Sequence, residues 1–289
     1  MKKREAGAAL GIAVCVAGGC GVERTTAVEQ IDIGTDDAGS IGREGSIAVS
    51  ADASSDGMES SSSAKDGPDA TTDLSGCTNP AFVTSSPSGI WPNGGYLVFN
   101  NVWNTAAGPG PQTLYACSYH SWYVVSDQTD NGGAVKTYPN VQMNFNDVPI
   151  SSFHGLTSTF AETSPHVGIY EDAYDVWLNG VATPGSSQVL IWVDNTNRVP
   201  AGSQVTTTTL GGRTYDVWKT SDNSHIVLVS TVPFTSGTVD LLEILNWAII
   251  QGWLPSGSTL GQIDFGVEIV STGGASATYL FNDFSIATN

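Results

Sequence analysis

The chain has 289 residues, with 28 acidic residues against 10 basic ones and a formal net charge of −18. So acidic a balance argues against nucleic acid and anionic membrane surfaces as partners and leaves neutral ligands open. Residues 21–76 carry twelve acids and three bases, while residues 77–289 hold all eight Trp, nine Tyr and nine Phe. The first stretch cannot bury enough apolar surface to offset chain entropy, so an acidic Ser/Asp/Gly/Ala-rich disordered linker is expected there. The second has material for one sizeable core and is expected to form one domain, residues 77–289.

Residues 1–20 read as an export signal. Lys2, Lys3 and Arg4 form a basic start, and Ala6 to Gly19 is a small-residue apolar run too short for an ordinary membrane span. The run ends in Ala17-Gly18-Gly19-Cys20, which resembles a bacterial lipoprotein cleavage box with Cys20 as the lipidated residue. Ala17 stands where such boxes prefer Leu; the alternative is an ordinary secretory signal cut nearby. The expected location is the bacterial cell envelope as a lipoprotein, or the medium, with any membrane contact made only through the N-terminal lipid. With Cys15 and Cys20 in the signal, Cys77 and Cys117 remain as an even pair in an oxidising compartment, and one disulfide is expected between them. His120, His154, His166 and His225 show no metal spacing, so no zinc site, metal or cofactor is expected.

From Gly94 onward short β-rich runs alternate with Gly, Pro, Asn, Asp and Ser. They cover 96–102, 121–126, 141–145, 167–178, 188–194, 204–210, 213–219, 225–232, 261–271 and 277–286. In the run from Ser187, Val189, Ile191 and Val193 face one way and Gln188, Leu190 and Trp192 the other. The run around Phe265 to Val270 carries one carboxylic acid, Glu268, among apolar neighbours. One segment alone has helical periodicity: residues 240–250 place Leu241, Ile244, Leu245, Ala248 and Ile249 on one face. Thr238 or Asp240 would cap it, and Gly252 would stop it. Many strands, one helix and no repeat at 20–50 residues predict an all-β, two-sheet jelly-roll sandwich with a concave groove. Of the tryptophans, Trp218, Trp247 and Trp253 are expected in the core. Trp103 and Trp192, beside Asn101 and Gln188, are the cleft candidates, since stacked rings and amides suit sugars.

These residues resemble glycoside hydrolase family 12, the endo-β-1,4-glucanases and xyloglucan hydrolases, in sequence order over most of residues 77–289. Cys77 and Cys117 bracket Asn100-Asn101-Val102-Trp103-Asn104, as the family's N-terminal disulfide brackets a similar strand. Val135 to Val141, Ala173-Tyr174-Asp175-Val176-Trp177-Leu178, Gln188 to Trp192 and Gly212 to Trp218 follow. Gly266-Val267-Glu268 and Asn282-Asp283-Phe284-Ser285 close the series.

The resemblance implies retaining hydrolysis of a β-1,4-linked glucan, in which two carboxyl groups roughly 5–5.5 Å apart attack the sugar and protonate the leaving oxygen. It makes Glu268 the acid/base and Asp175 the aspartate that hydrogen-bonds the nucleophile. At the nucleophile position it finds Gln188, a carboxamide that is uncharged and a poor nucleophile. Reduced or lost hydrolysis, leaving a surface-tethered glucan-binding protein, is therefore the alternative function. An inverting route in which Asp175 activates a water would need a wider gap, roughly 6.5–9.5 Å. Glu171 sits four residues before Asp175 on the same strand face, roughly 13 Å away, and is expected to be a solvated edge residue. No cofactor is implied, and a monomer is expected.

Overall fold

The run at Val189 divides its residues between two environments. Val189, Ile191 and Val193 enter the main core, whereas Leu190 and Trp192 join a small cluster on the opposite side of the same sheet. This split places one sheet face inside a sandwich and leaves the other free to build a site. The computed structural model describes residues 76–289. The expected export signal, Cys20 and most of the acidic linker lie outside the described residues.

Two sheets form the sandwich. The smaller contains β1 (Phe82–Thr84), β4 (Gln112–Ser118), β5 (Ser121–Ser126), β7 (Leu156–Thr163), β13 (Ser236–Asp240) and β15 (Ala277–Thr288). Their spatial order is β1-β4-β5-β15-β7-β13. The larger contains β2 (Ile90–Asn93), β3 (Tyr96–Phe99), β6 (Asn140–Pro149), β8 (Ile169–Leu178) and β9 (Ser187–Thr196). It continues with β10 (Ser203–Leu210), β11 (Arg213–Lys219), β12 (His225–Ser230) and β14 (Thr259–Ser271). Its order is β10-β11-β12-β9-β8-β14-β6-β3-β2. The named strand pairs are antiparallel except β12 with β9, which is parallel.

Aromatic side chains close the space between the sheets. Phe265 of β14 stacks on Phe284 of β15 at 5.7 Å and meets Tyr174 at 4.6 Å and Phe160 at 4.8 Å. The Tyr174 hydroxyl donates to Ser158 Oγ at 3.0 Å, so its polar tip is satisfied in the interior. The helix α1 (Leu241–Ile250) buries Leu241, Ile244, Leu245 and Ala248, as its periodicity predicts. Asp240 caps it by accepting from the Glu243 amide at 2.9 Å, and Gly252 follows in the left-handed region at φ 73°. Cys77 and Cys117 are disulfide-bonded, tying the start of the described chain to β4.

The sequence under-counted strands. β4 and β7 lie between the anticipated runs, because their inward positions include Gln112, Ser158 and Glu162, and polar inward residues blur the alternation. Trp218 departs from expectation too. Its strand turns Tyr215 and Val217 inward, so Trp218 packs with Leu190, Trp192 and Val227 on the outer face.

Candidate active site

The outer face of the larger sheet gathers acids along its central strands. On β8 the outward residues are Glu171, Ala173, Asp175 and Trp177, and antiparallel β14 sets Glu268 opposite Glu171, Gly266 opposite Ala173 and Asp264 opposite Asp175. On the other flank, β9 places Gln188 opposite Trp177, and β12 places His225 opposite Gln188. These rows lie close enough to influence one another electrostatically. The charge of Glu268 is felt at His225, three strands away, and the Tyr138 hydroxyl feels Asp264, Asp175, Glu268 and Glu171 together.

Tyr138 reaches this position through a backbone crossing. The Pro139 carbonyl, which accepts from the Val267 amide at 3.2 Å, passes where a Cβ on residue 266 would be, so only glycine fits at Gly266. The Tyr138 hydroxyl then donates to the Ala173 carbonyl at 3.1 Å. The Asn101 carbonyl receives the Tyr138 amide and the Thr137 hydroxyl, both at 3.0 Å, while Asn101 itself adopts a left-handed φ of 43°. Asn101 thus acts through its backbone in holding this segment down.

Gln188, half-buried, donates from Nε2 to Asp175 Oδ2 at 2.8 Å. Burial, and then the charge of Glu268, push the Asp175 carboxyl well above the usual carboxylate range; the Gln188 hydrogen bond opposes them. Asp264 is likewise driven up by burial and by Asp175, and Gln262 lies beside it with its amide 3.1 Å from both oxygens. Both aspartates therefore favour their neutral forms in this cluster.

Glu171 corrects the expectation of a solvated edge residue. It is fully buried, because β14 covers one flank of its strand and β9 the other, and it accepts from Arg198 Nε at 2.8 Å. It is the cross-strand neighbour of Glu268. The only signal of this pair in the sequence is the scarcity of counter-charges, since Arg198 is one of four Lys or Arg residues from 77 to 289. Of the expected aromatic contacts, Trp103 is 41 % exposed, whereas Trp192 stands on the site's side of the sheet but is only 2 % exposed beneath its neighbours. Trp103 is thus the ring with an open face.

The family model described as Glycosyl hydrolase family 12 matches residues 94–289. Endoglucanase A of Aspergillus kawachii is 24 % identical over 211 residues, covering 67 % of this chain and 87 % of the relative. Endoglucanase S of Pectobacterium parmentieri is 26 % identical over 203 residues, covering 61 % and 76 %. Among solved structures, the xyloglucanase domain of NopAA, a type three effector from Sinorhizobium fredii in complex with cellobiose, superposes with a TM-score of 0.63 at 29 % identity. That match covers 73 % of this chain and all of the other. Endoglucanase cel12A from Rhodothermus marinus, at 23 % identity and a TM-score of 0.65, shares the fold.

Proposed function

Because the chain belongs to glycosyl hydrolase family 12, we propose that the outer face of its larger sheet binds β-1,4-linked glucan and that Glu268 is its acid/base. Gln188 occupies the position of the attacking carboxylate and leaves endo-hydrolysis slow. The observation that carries this reading is the joint placement of Glu268, Asp175 and Gln188 on one sheet face, with Gln188 bonded to Asp175. Glu268, only partly buried, reaches solvent and hence a leaving-group oxygen. On the far side of the scissile bond a carboxamide offers neither a covalent glycosyl ester nor a charge against the oxocarbenium ion. Asp175 is a poor substitute. It is buried, committed to Gln188 and held toward its neutral form, so it neither attacks nor activates water efficiently. This argues against the inverting route. Glu171 supports Glu268 from the neighbouring strand as a positioning residue, anchored by Arg198.

A second reading is complete loss of hydrolysis, leaving a glucan-binding protein. It is favoured by the Gln188–Asp175 hydrogen bond, which commits the carboxamide nitrogen and leaves only a neutral amide oxygen, a poor nucleophile, in the place of a carboxylate. Around this core we place an export signal at residues 1–20 with Cys20 lipidated, an acidic tether at 21–76, and the glucan-binding domain at 77–289, acting as a monomer. Trp103 stacks on a sugar ring, with Asn101 holding the neighbouring loop and Trp192 packed beneath the face.

The deciding experiment measures glucan affinity and reducing-sugar release side by side, on mixed-linkage β-glucan and xyloglucan, for the natural protein and Glu268→Gln. Binding by both, with release only from the natural protein, supports a slow hydrolase. Binding with no release from either supports the second reading. Absence of binding to any β-1,4-glucan overturns both.

A further inference from the structure

A second acidic group lies on the opposite face of the same strands, inside the sandwich. Glu162 of β7, Asp172 of β8 and Asp194 of β9 are all buried, and each offers a carboxylate oxygen within 4.8 Å of the others. Their placement is specific. Asp172 alternates with Glu171 and so points inward with Tyr170 and Tyr174. Asp194 pairs with Asp172 across a bulge, while Trp192 pairs with the next residue, Ala173. The extra residue turns Asp194 toward the interior instead of the groove.

Both oxygens of Glu162, both of Asp172 and Oδ2 of Asp194 have no hydrogen-bond partner among the described residues. The Tyr279 hydroxyl, on a fully buried side chain of β15, also has none and lies close enough to Asp172 to feel its charge. The Ser164 hydroxyl, similarly buried, stands beside Glu162 and Asp172 without a well-formed hydrogen bond. The adjacent base among the described residues is His166, whose Nδ1 is 3.5 Å from Asp194 Oδ2 and which is 61 % exposed. Buried carboxylates without donors or counter-charges are strongly disfavoured, and so many in one place call for a missing partner.

We propose that Glu162, Asp172 and Asp194, with the Tyr279 and Ser164 hydroxyls beside them, bind one calcium ion that ties the smaller sheet to the two central strands of the larger. The ligands are all oxygen, which selects a hard cation. Oxygens no more than 4.8 Å apart can share one cation, and a set of protein oxygens arriving from separate strands suits the flexible, oxygen-rich coordination of calcium better than the near-ideal octahedron and retained waters that magnesium demands. The absence of zinc-like His and Cys spacing is no obstacle, because these acids come from three separate strands. Asp172 adjoins Glu171, so the ion would also stiffen the strand that carries the groove acids. The inference does not depend on the sugar chemistry.

The test uses the full chain, stripped with EDTA and desalted. Calcium titration by calorimetry should give one site per chain, and saturating calcium should raise the melting temperature by about 5–10 °C. Asp172→Asn and Asp194→Asn should each abolish the shift while leaving glucan binding measurable. Equal melting temperatures in EDTA and calcium, with no calorimetric site in the natural protein, would overturn the proposal whether or not the variants fold. A calcium shift that survives in both folded variants would overturn it as well. Magnesium giving as large a shift at equal concentration would overturn the assignment to calcium.

Discussion

Gln188→Glu restores one atom's chemistry at a position whose neighbours are already in place. In the natural protein Gln188 Nε2 donates to Asp175 Oδ2 across 2.8 Å. A carboxyl put there faces another carboxyl, and two carboxyl groups about 3 Å apart do not both ionise near neutral pH. Burial and the Glu268 charge already favour neutral Asp175, so Asp175 keeps the proton and donates it to the new carboxylate. The hydrogen bond survives in charge-assisted form, and the negative charge rests on the group that must attack. The cost in stability should be about 1 kcal/mol, or about 2–4 °C in melting temperature. The gain in rate should be large. Removing a nucleophile that acts in concert with its partners costs up to roughly 10⁶-fold in kcat. A restored but partly shared carboxylate should recover at least about 10³-fold, about 4 kcal/mol of transition-state stabilisation. Reducing-sugar release from β-glucan and xyloglucan measures it, and adding Glu268→Gln should abolish the gain. A folded, glucan-binding Gln188→Glu protein that releases sugar no faster than the natural one would refute the assignment of this position.

Three further outcomes are expected. Trp103→Ala should weaken glucan binding by about 1–2 kcal/mol, roughly 5–30-fold by calorimetry, because its half-open ring is the available stacking face; unchanged affinity would remove it from the site. Arg198→Ala leaves the fully buried Glu171 carboxyl, which burial and Glu268 already push up, without the donor that opposes them, and should destabilise the fold by about 3 kcal/mol, the upper end for an unsatisfied buried polar group. The melting temperature should fall by about 6–12 °C, and adding Glu171→Gln should return part of it. Replacing Cys77 and Cys117 by Ala opens a loop spanning 40 residues and should cost about 4 kcal/mol in denaturant unfolding.

What the sequence made legible follows from how local the signal was. The division of Val189, Ile191 and Val193 from Leu190 and Trp192 is a property of a strand with one packed face, and it appears as read. So does the cap of α1, which needs only Asp240 and the amide three residues on. Glu171 was misjudged because its environment is set by strands far along the chain. Whether β8 is an edge or a centre depends on β14, whose Glu268 is 97 positions away (268 − 171). The consecutive acids Glu171 and Asp172 did hold a clue. In a central strand, adjacent residues face opposite sides, so one of any such pair must enter the core. Trp192 and Trp218 show the same limit, since a small apolar cluster on an outer face is invisible to periodicity alone.

The two C-terminal strands have a bearing on how the protein comes into being. β14 lies between β6 and β8 in one sheet, and β15 lies between β5 and β7 in the other. Each is inserted into a gap between strands made much earlier. While the chain is elongating from its N-terminus, both half-finished sheets therefore present bare rows of amides and carbonyls, four unsaturated margins in all, until the last thirty or so residues emerge. From the completion of β8 at Leu178 to the arrival of β14 at Thr259 these margins are open to mispairing. Glu268 arrives on one of these closing strands, so the proposed acid/base and the completed larger sheet appear together.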